Sequence, residues 1–511
     1  MLNERNFPII LTTIFLIAGF ILLMHHEMWR DELGEWAYAA ASPSLSSLIR
    51  NFPYPHTMLW QILVYFLTRL TSNPVSMQLF HLVIAGCIIF LFARFSPFTK
   101  GQKVFFIFGY FPFFEYMVIC RPYSLAVLFA FSFCSIFPLR FKKFILTGCI
   151  LFLLANSNPF GLAISLSIGV SLLINRILCH RSDRDCPYIP AYKLIIGFLL
   201  IGAGCTLSYL QQSRGEFVPT FSRLSLYGAT HVSGCLYTGF FPLFKTVRCF
   251  WHTNILYDSI HPQLEPTFMI IRTLIASLLI LYSFFLLLNK REALLIYLLS
   301  TLVLLGSFST YLSRDYRHSG FFFIIFISSL WIAASCPEGI IRSKVLFRLN
   351  ELAIRLRNKV LYALLILHFL LGAIAAITDL LFPFSCAKEA ANYIRKSNMQ
   401  NWPMAAYPHY ATCSLSAYLH KSDIKFIPSE YYYQDFLLPL KGLTLEKCLY
   451  YFWILQNLYP AKFNKMLFVT NTPLPPSVIE GYGLNEIANF TGSICGDEDV
   501  YFYAFKTIDK R

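Results

Sequence analysis

Three short stretches concentrate the groups that could do chemistry. In "MWRDELGEW" (28–36) two adjacent carboxylates, Asp31 and Glu32, follow Arg30, with Glu35 a turn later and Trp29 and Trp36 flanking. An ionised carboxylate beside a membrane surface can take the proton of a hydroxyl substrate; the plain alternative is a helix-end cap. In "VICRPYSLAVLF" (118–129) Arg121 stands in a turn forced by Pro122. A guanidinium at headgroup level can grip a phosphate through paired hydrogen bonds, or it can merely snorkel. In "YLSRDYRHSGFFF" (311–323) Arg314, Arg317 and His318 gather positive charge at a helix start, which adds its own partial positive charge. Pairing of Arg314 with Asp315 would leave Arg317 and His318 for an anionic ligand. Two further stretches carry less. His252, Asp258 and His261 in "CFWHTNILYDSIHPQLEP" (249–266) suit substrate contact or a structured loop. The "HHE" at 25–27 is a poor metal site, because adjacent imidazoles on a helix point in different directions.

The elements that must position these groups are helices in a membrane. The chain has 511 residues, 56% hydrophobic, 17% aromatic and only 14% charged, far from the charge content of a soluble globule. Apolar runs recur near 8–24, 78–94, 104–118, 122–138, 144–157, 159–176, 193–210, 267–288, 293–311, 319–335 and 360–381. No period-2 alternation recurs across them, which argues against a membrane β-barrel. The fold class is therefore an α-helical polytopic membrane protein of about 11 spans over 1–381, followed by a small α/β domain at 382–511. The run at 8–24 has no small-residue cleavage site after it and reads as a retained signal anchor.

The net charge of +15 argues for topology and against nucleic acid, since the basic residues cluster in short loops between apolar runs. Lys100 and Lys103, then Arg140, Lys142 and Lys143, then Arg176 to Lys193, then Lys290 and Arg291 mark inner loops. The richest inner loop is 336–359. With the N-terminus inside, eleven spans put all of these in the cytoplasm and the tail outside. This works if "PHTMLWQILVYFLTRL" (55–70) lies in the outer interface and does not cross. The stretch 224–246 is too polar and Gly-rich for a confident span and reads as re-entrant or interfacial. The outer face then holds the first loop (25–77), the turn at Arg121, the long loop 211–266, the turn 311–320 and the tail.

In the tail, "AKEAANYIRKS" (387–397) reads as an amphipathic helix with Ala391 and Ile394 on one face. "PMAAY", "IKFIPS", "KMLFVT" and "DVYFYAF" read as short strands. Cys386, Cys413, Cys448 and Cys495 form two disulfides in an oxidising compartment or stay as buried thiols; spacing does not choose. No paired-Cys or His/Cys array suggests a structural metal.

The aromatic-flanked "RDE" of the first outer loop, the later "RPYSL" and the late "RHSGFFF" resemble the membrane-embedded glycosyltransferases of the C type. Similar proteins include protein O-mannosyltransferases, lipid A aminoarabinose transferases and bacterial lipopolysaccharide core transferases. The likeness covers roughly 8–335, and "NFPYPHTMLWQIL" matches the interfacial helix of these proteins. Where they often carry His-Pro-Pro-Leu, this chain has Tyr54-Pro55-His56-Thr57. The resemblance implies transfer of a sugar from a polyprenyl-phosphate donor to a hydroxyl on a glycan, lipid or protein, with inversion. It makes Asp31 the general base and Glu32 the group that orients the acceptor. Arg121 and Arg317 would bind the donor phosphate with His318 assisting, and Arg30, His56, His252 and Tyr123 are further candidates for substrate contact. Some relatives need a divalent metal, Mg or Mn, and others none. The expected setting is a bacterial inner membrane, N-terminus cytoplasmic and tail periplasmic. The competing readings are a transporter or a flippase for lipid-linked glycans, which would not need the Asp31-Glu32 pair, and an assembly protein acting through its tail.

Overall fold

The computed structural model describes residues 6–52, 56–181, 188–213, 226–248, 250–251, 253–256, 265–310, 315–408, 411, 413–419, 444–458 and 465–505. In chain order the helices are α1 (Phe7–His25), α2 (Arg30–Ala41), α3 (Leu45–Asn51), α4 (Leu59–Leu70), α5 (Val75–Phe95), α6 (Lys100–Ile107), a π-helix (Tyr110–Val118), α7 (Tyr123–Ile136), α8 (Phe144–Ala155), α9 (Pro159–Arg181), α10 (Ala191–Gln212), α11 (Leu226–Phe240), α12 (Glu265–Leu287), α13 (Arg291–Thr310), α14 (Tyr316–Ala333) and α15 (Lys344–Leu381). Then come α16 (Ala387–Lys396), β1 (Met404–Tyr407), α17 (Cys413–Tyr418), α18 (Leu445–Leu458), β2 (Leu467–Thr470), α19 (Pro476–Gly481), β3 (Leu484–Phe490) and β4 (Val500–Phe505). The chain forms two compact units. The first comprises Met1–Leu23, Tyr54–Trp60 and Leu79–Ile377; the second comprises Met24–Pro53, Gln61–Gln78 and Thr378–Arg511.

Among the described residues, α1, α5, α9, α10, α12, α13, α14 and α15 are the eight helices long and apolar enough to cross a membrane. α4, α7 with its short extension to Leu139, and α8 are apolar but shorter. Ile9, Ile14, Ile17 and Phe20 on α1, and Leu274, Leu278 and Leu281 on α12, are exposed. Such belts are costly in water and cost nothing in lipid. The chain is an integral membrane protein.

Two stretches differ from the sequence-based expectation. The run 104–118 is not one straight span: α6 stops at Ile107, and a π-helix follows. Pro112 lies in the first turn of that π-helix, where a missing N–H costs no internal bond. The turn closes with Ile119 N–H donating to Phe114 O five residues back at 3.3 Å. The stretch 336–359 is not a loop throughout, since α15 begins at Lys344. No Gly or Pro interrupts it before Gly372, and Leu, Arg, Lys and Ala are strong helix formers.

Aromatic rings fill the first unit. Phe92 packs on Phe106, Phe131 and Trp331 with ring centroids at 4.2, 5.4 and 5.8 Å. α14 is buried along nearly its whole length. A Cβ on its Gly320 would lie 2.5 Å from both Phe111 and the Tyr116 hydroxyl, so only glycine lets α14 approach the π-helix this closely.

The second unit carries a four-stranded sheet in the order β1-β2-β4-β3. β1 and β2 run parallel, whereas β4 is antiparallel to both β2 and β3, with a bulge between Glu486 and Ala488. Leu449 of α18 joins Ala405, Met466, Phe468, Leu474, Leu484 and Tyr503 in its core. α16 buries Ala387, Ala390, Ala391 and Ile394, the face expected from its spacing. "PMAAY", "KMLFVT" and "DVYFYAF" form strands; "IKFIPS" lies outside the described residues, and β3 was not foreseen. Cys386, Cys448 and Cys495 are free thiols, so the disulfide alternative fails for these three; the Cys413 side chain lies outside the described residues.

Candidate active site

Each unit carries a cluster of polar groups. In the first unit the cluster forms where the π-helix hands over to α7 and where α14 begins. Val118 ends the π-helix, and Arg121 and Pro122 make the turn into α7. Arg121 is 7% exposed, and its carbonyl accepts from His81 Nε2 at 3.2 Å and from Ser124 Oγ at 3.3 Å. His81 Nδ1 reaches Met117 O at 2.9 Å, so one imidazole on α5 fixes both sides of the turn. Asn158 adds a bond to Pro122 O at 3.4 Å.

Tyr123, the first residue of α7, meets the start of α14: its hydroxyl lies 2.7 Å from His318 Nε2. The other edge of that ring faces Asp315, with Nδ1 3.5 Å from Oδ2. Arg317 Nη2 donates to the same Oδ2 at 3.0 Å, and the Arg317 carbonyl accepts from Tyr116 OH at 2.9 Å. Phe160 packs its ring against His318, centroids 5.1 Å apart. Arg317 and His318 thus meet on one carboxylate, with Tyr123 on the far edge of the imidazole. Asp315 is engaged by Arg317 and His318; Arg314, its expected partner, lies outside the described residues. Glu115, which the sequence reading missed, is fully buried in the π-helix and accepts from Tyr110 OH at 2.6 Å. Arg317 and Asp315 lie within its electrostatic reach.

In the second unit the centre is His26. Its Nδ1 donates to Asp379 at 3.0 and 3.1 Å and its Nε2 to Glu32 Oε2 at 3.3 Å, all three side chains fully buried. Burial works against charge on the imidazole, but Asp379 and then Glu32 outweigh it and hold the His26 pKa at about 10. His26 is therefore a buried cation between two carboxylates. Glu32 Oε2 also accepts from Trp29 N–H at 3.1 Å and closes the N-terminus of α2. At the other end Arg69 Nη2 binds the carbonyls of Ala39, Ala40 and Ser42 at 2.9, 3.0 and 3.3 Å.

Arg30 extends this frame. It donates to Asp497 at 2.6 Å and to Glu498 at 3.2 Å, and Ser385 Oγ donates to Glu498 at 2.8 Å. Burial pushes Glu498 up to about 7 against the pull of Ser385 and Arg30, and burial likewise raises Glu27 to about 7.

These contacts sort the sequence candidates. Arg121, Tyr123, Arg317 and His318 are all in the first unit; Tyr123 contacts His318, which shares Asp315 with Arg317. Glu32 is a correction: fully buried and bonded to His26 and Trp29, it caps α2 and has no open face for an acceptor. Arg30, part-exposed, is engaged by Asp497 and Glu498 and ties down the start of α2. Asp31, beside Glu32 in the first turn of α2, is part-exposed. His56 lies in the bend before α4, part-exposed, in the first unit. His252, Asp258 and His261 lie outside the described residues. His26 is drawn to Asp379 and Glu32 while His25 is exposed, which separates the "HHE" side chains. Among the described residues, no group of three or more His, Cys, Asp or Glu side chains is arranged to hold a metal ion, so no donor set fits the Mg or Mn that the resemblance allows. The missed residues Asp379, Glu498 and Glu115 gave one usable signal: each is an ionisable group next to or within an apolar run. No protein-family model, curated protein or solved structure matches this chain.

Proposed function

We propose that this integral membrane protein is a glycosyltransferase that moves a sugar from a polyprenyl-phosphate donor to a hydroxyl acceptor at the extracytoplasmic face, with inversion. The observation that carries the reading is the meeting of Arg317 and His318 on one anionic oxygen of Asp315, with Tyr123 holding the far edge of the His318 ring, at paired helix starts beside the Arg121 turn. A phosphate asks for the same donors. In this reading Arg121 and Arg317 stabilise the charge that grows on the departing phosphate. Asp31 takes the acceptor proton as the oxygen attacks C1 and the C1–O bond to phosphate breaks. Glu32 acts only through α2, by fixing the turn on which Asp31 stands. The membrane would be a bacterial inner membrane with the second unit outside.

A transport reading draws on a different observation, the carboxyl of Glu115 buried in a π-helix of the first unit. One experiment separates the two. Envelope glycans and glycolipids of a strain lacking the gene are measured by mass spectrometry after complementation with wild type or with Asp31→Asn. Loss of one sugar mass, restored by wild type alone, is the expected result. Unchanged glycans, or full restoration by the Asn variant, would sink the catalytic assignment and leave transport.

A further inference from the structure

Asp315 stands at the N-cap of α14, a position where a carboxylate ordinarily accepts the backbone N–H groups of its own helix. It makes no such side-chain bond. The carboxylate turns to Arg317 Nη2 at 3.0 Å and to the Nδ1 edge of His318 at 3.5 Å. Tyr123, 2.7 Å from Nε2, holds the ring in that attitude. The Asp315 side chain is 25% exposed, against 15% for His318 and 9% for Arg317, so the carboxylate is the most exposed of the three. An anion that takes Arg317 Nη2 and the Nδ1 edge of His318 must replace it.

We propose that Asp315 is an internal competitor of the anion site: its carboxylate occupies the phosphate position on Arg317 and His318, and donor binding displaces it. The proposal rests on the reading of this cluster as a phosphate site and adds its regulation. The ligand chemistry is a phosphate mono- or diester. The competitor keeps Arg317 and His318 oriented between turnovers, and it sets a threshold that favours a ligand bearing more charge, or more oxygens, than one carboxylate.

The test uses the full-length protein in nanodiscs of zwitterionic lipid. A polyprenyl phosphate, inorganic phosphate and phosphatidylglycerol are titrated in turn against wild type, Asp315→Ser, Asp315→Asn, Asp315→Glu and Arg317→Gln. Serine keeps a good N-cap without the charge, and asparagine keeps the shape. Both are expected to bind a phosphate probe about tenfold more tightly than wild type. Asp315→Glu should stay near wild type, and Arg317→Gln should lose binding. The probe that gains names the source: a polyprenyl lipid, a bulk phospholipid or free phosphate. Should the serine and asparagine variants, folded by their thermal midpoint, bind no probe more tightly than wild type, the internal competitor is overturned. Sugar transfer is followed on the same samples. Tighter binding in the variants with no transfer by wild type would overturn the transferase reading alone.

Discussion

His26 and His318 are both imidazoles set between partners, yet their surroundings differ. His26 is sealed between Asp379 and Glu32, each side chain fully buried, and it stays charged. His318 is part-exposed between a phenol and a carboxylate and has Arg317 as its neighbour. A sealed ion cluster spends its electrostatics on holding backbone in place, because no ligand can reach it. A part-open cluster is one that solvent, and therefore an anion, can reach. Burial, more than residue type, separates the group that builds from the group proposed to bind.

The strongest attempt to break this contrast is made on α2, where both kinds of carboxylate are adjacent. Asp31→Asn should lower turnover by about 100- to 10,000-fold, the usual weight of a general base, and leave the thermal midpoint unchanged. Glu32→Gln should do the reverse, with a marked fall in midpoint. A stable, inactive Glu32→Gln protein would mean that Glu32 does chemistry after all.

Next in size is His26→Ala, which leaves Asp379 and Glu32 buried without their cation. The expected loss is about 3–5 kcal/mol, read as a lower melting temperature or disappearance from the membrane fraction. His318→Ala should cost under about 1 kcal/mol by the same measurement. Equal losses would erase the distinction.

A third check is pH. The folded pKa of His26, about 10, lies above its ordinary 6.5, so its contribution is whole below pH 6.5 and is lost as pH rises through 10. Glu27 and Glu498, raised to about 7 from 4.5, act in the same direction over pH 4.5 to 7. The melting temperature should therefore fall from pH 5.5 to pH 9.5, and His26→Ala should flatten the upper half of that slope. A midpoint that rises with pH would contradict the charged imidazole.

The smallest effect is expected from Tyr123→Phe. One hydrogen bond is worth about 0.5–1.5 kcal/mol, so the Michaelis constant for donor should rise by up to about tenfold with turnover nearly kept. A fall in turnover alone would make Tyr123 a participant in the chemical step.

The sequence made much of this legible where the signal is local. Eight of the eleven long apolar runs are helices long enough to cross a membrane, and Ala391 with Ile394 named the buried face of α16. Arg121 and Arg317, with His318 beside them, drew attention because basic residues at helix ends that the charge pattern assigns to the outer face run against the usual bias. What stayed hidden is long-range. The 353 positions between His26 and Asp379, and the 468 between Arg30 and Glu498, leave no periodic trace. β3 was missed because Asn485, Glu486 and Asn489 dilute its alternation. The π-helix was missed because hydropathy reports that a segment is apolar, not which carbonyl each amide finds.

The length of α15 has a mechanical consequence. At about 1.5 Å per residue its 38 residues extend about 57 Å, against roughly 30 Å of hydrocarbon. The apolar stretch from Leu361 to Leu381 is enough to cross, so the earlier turns with Lys344, Arg348, Arg355, Arg357 and Lys359 belong to the headgroups and the water. Pulling any one of these cations to the centre of the bilayer would cost about 2.5–3.5 kcal/mol. The helix thus works as a bolt with a collar: it cannot slide along the membrane normal, and the depth of Asp379, in its last turn, is set by where the collar catches.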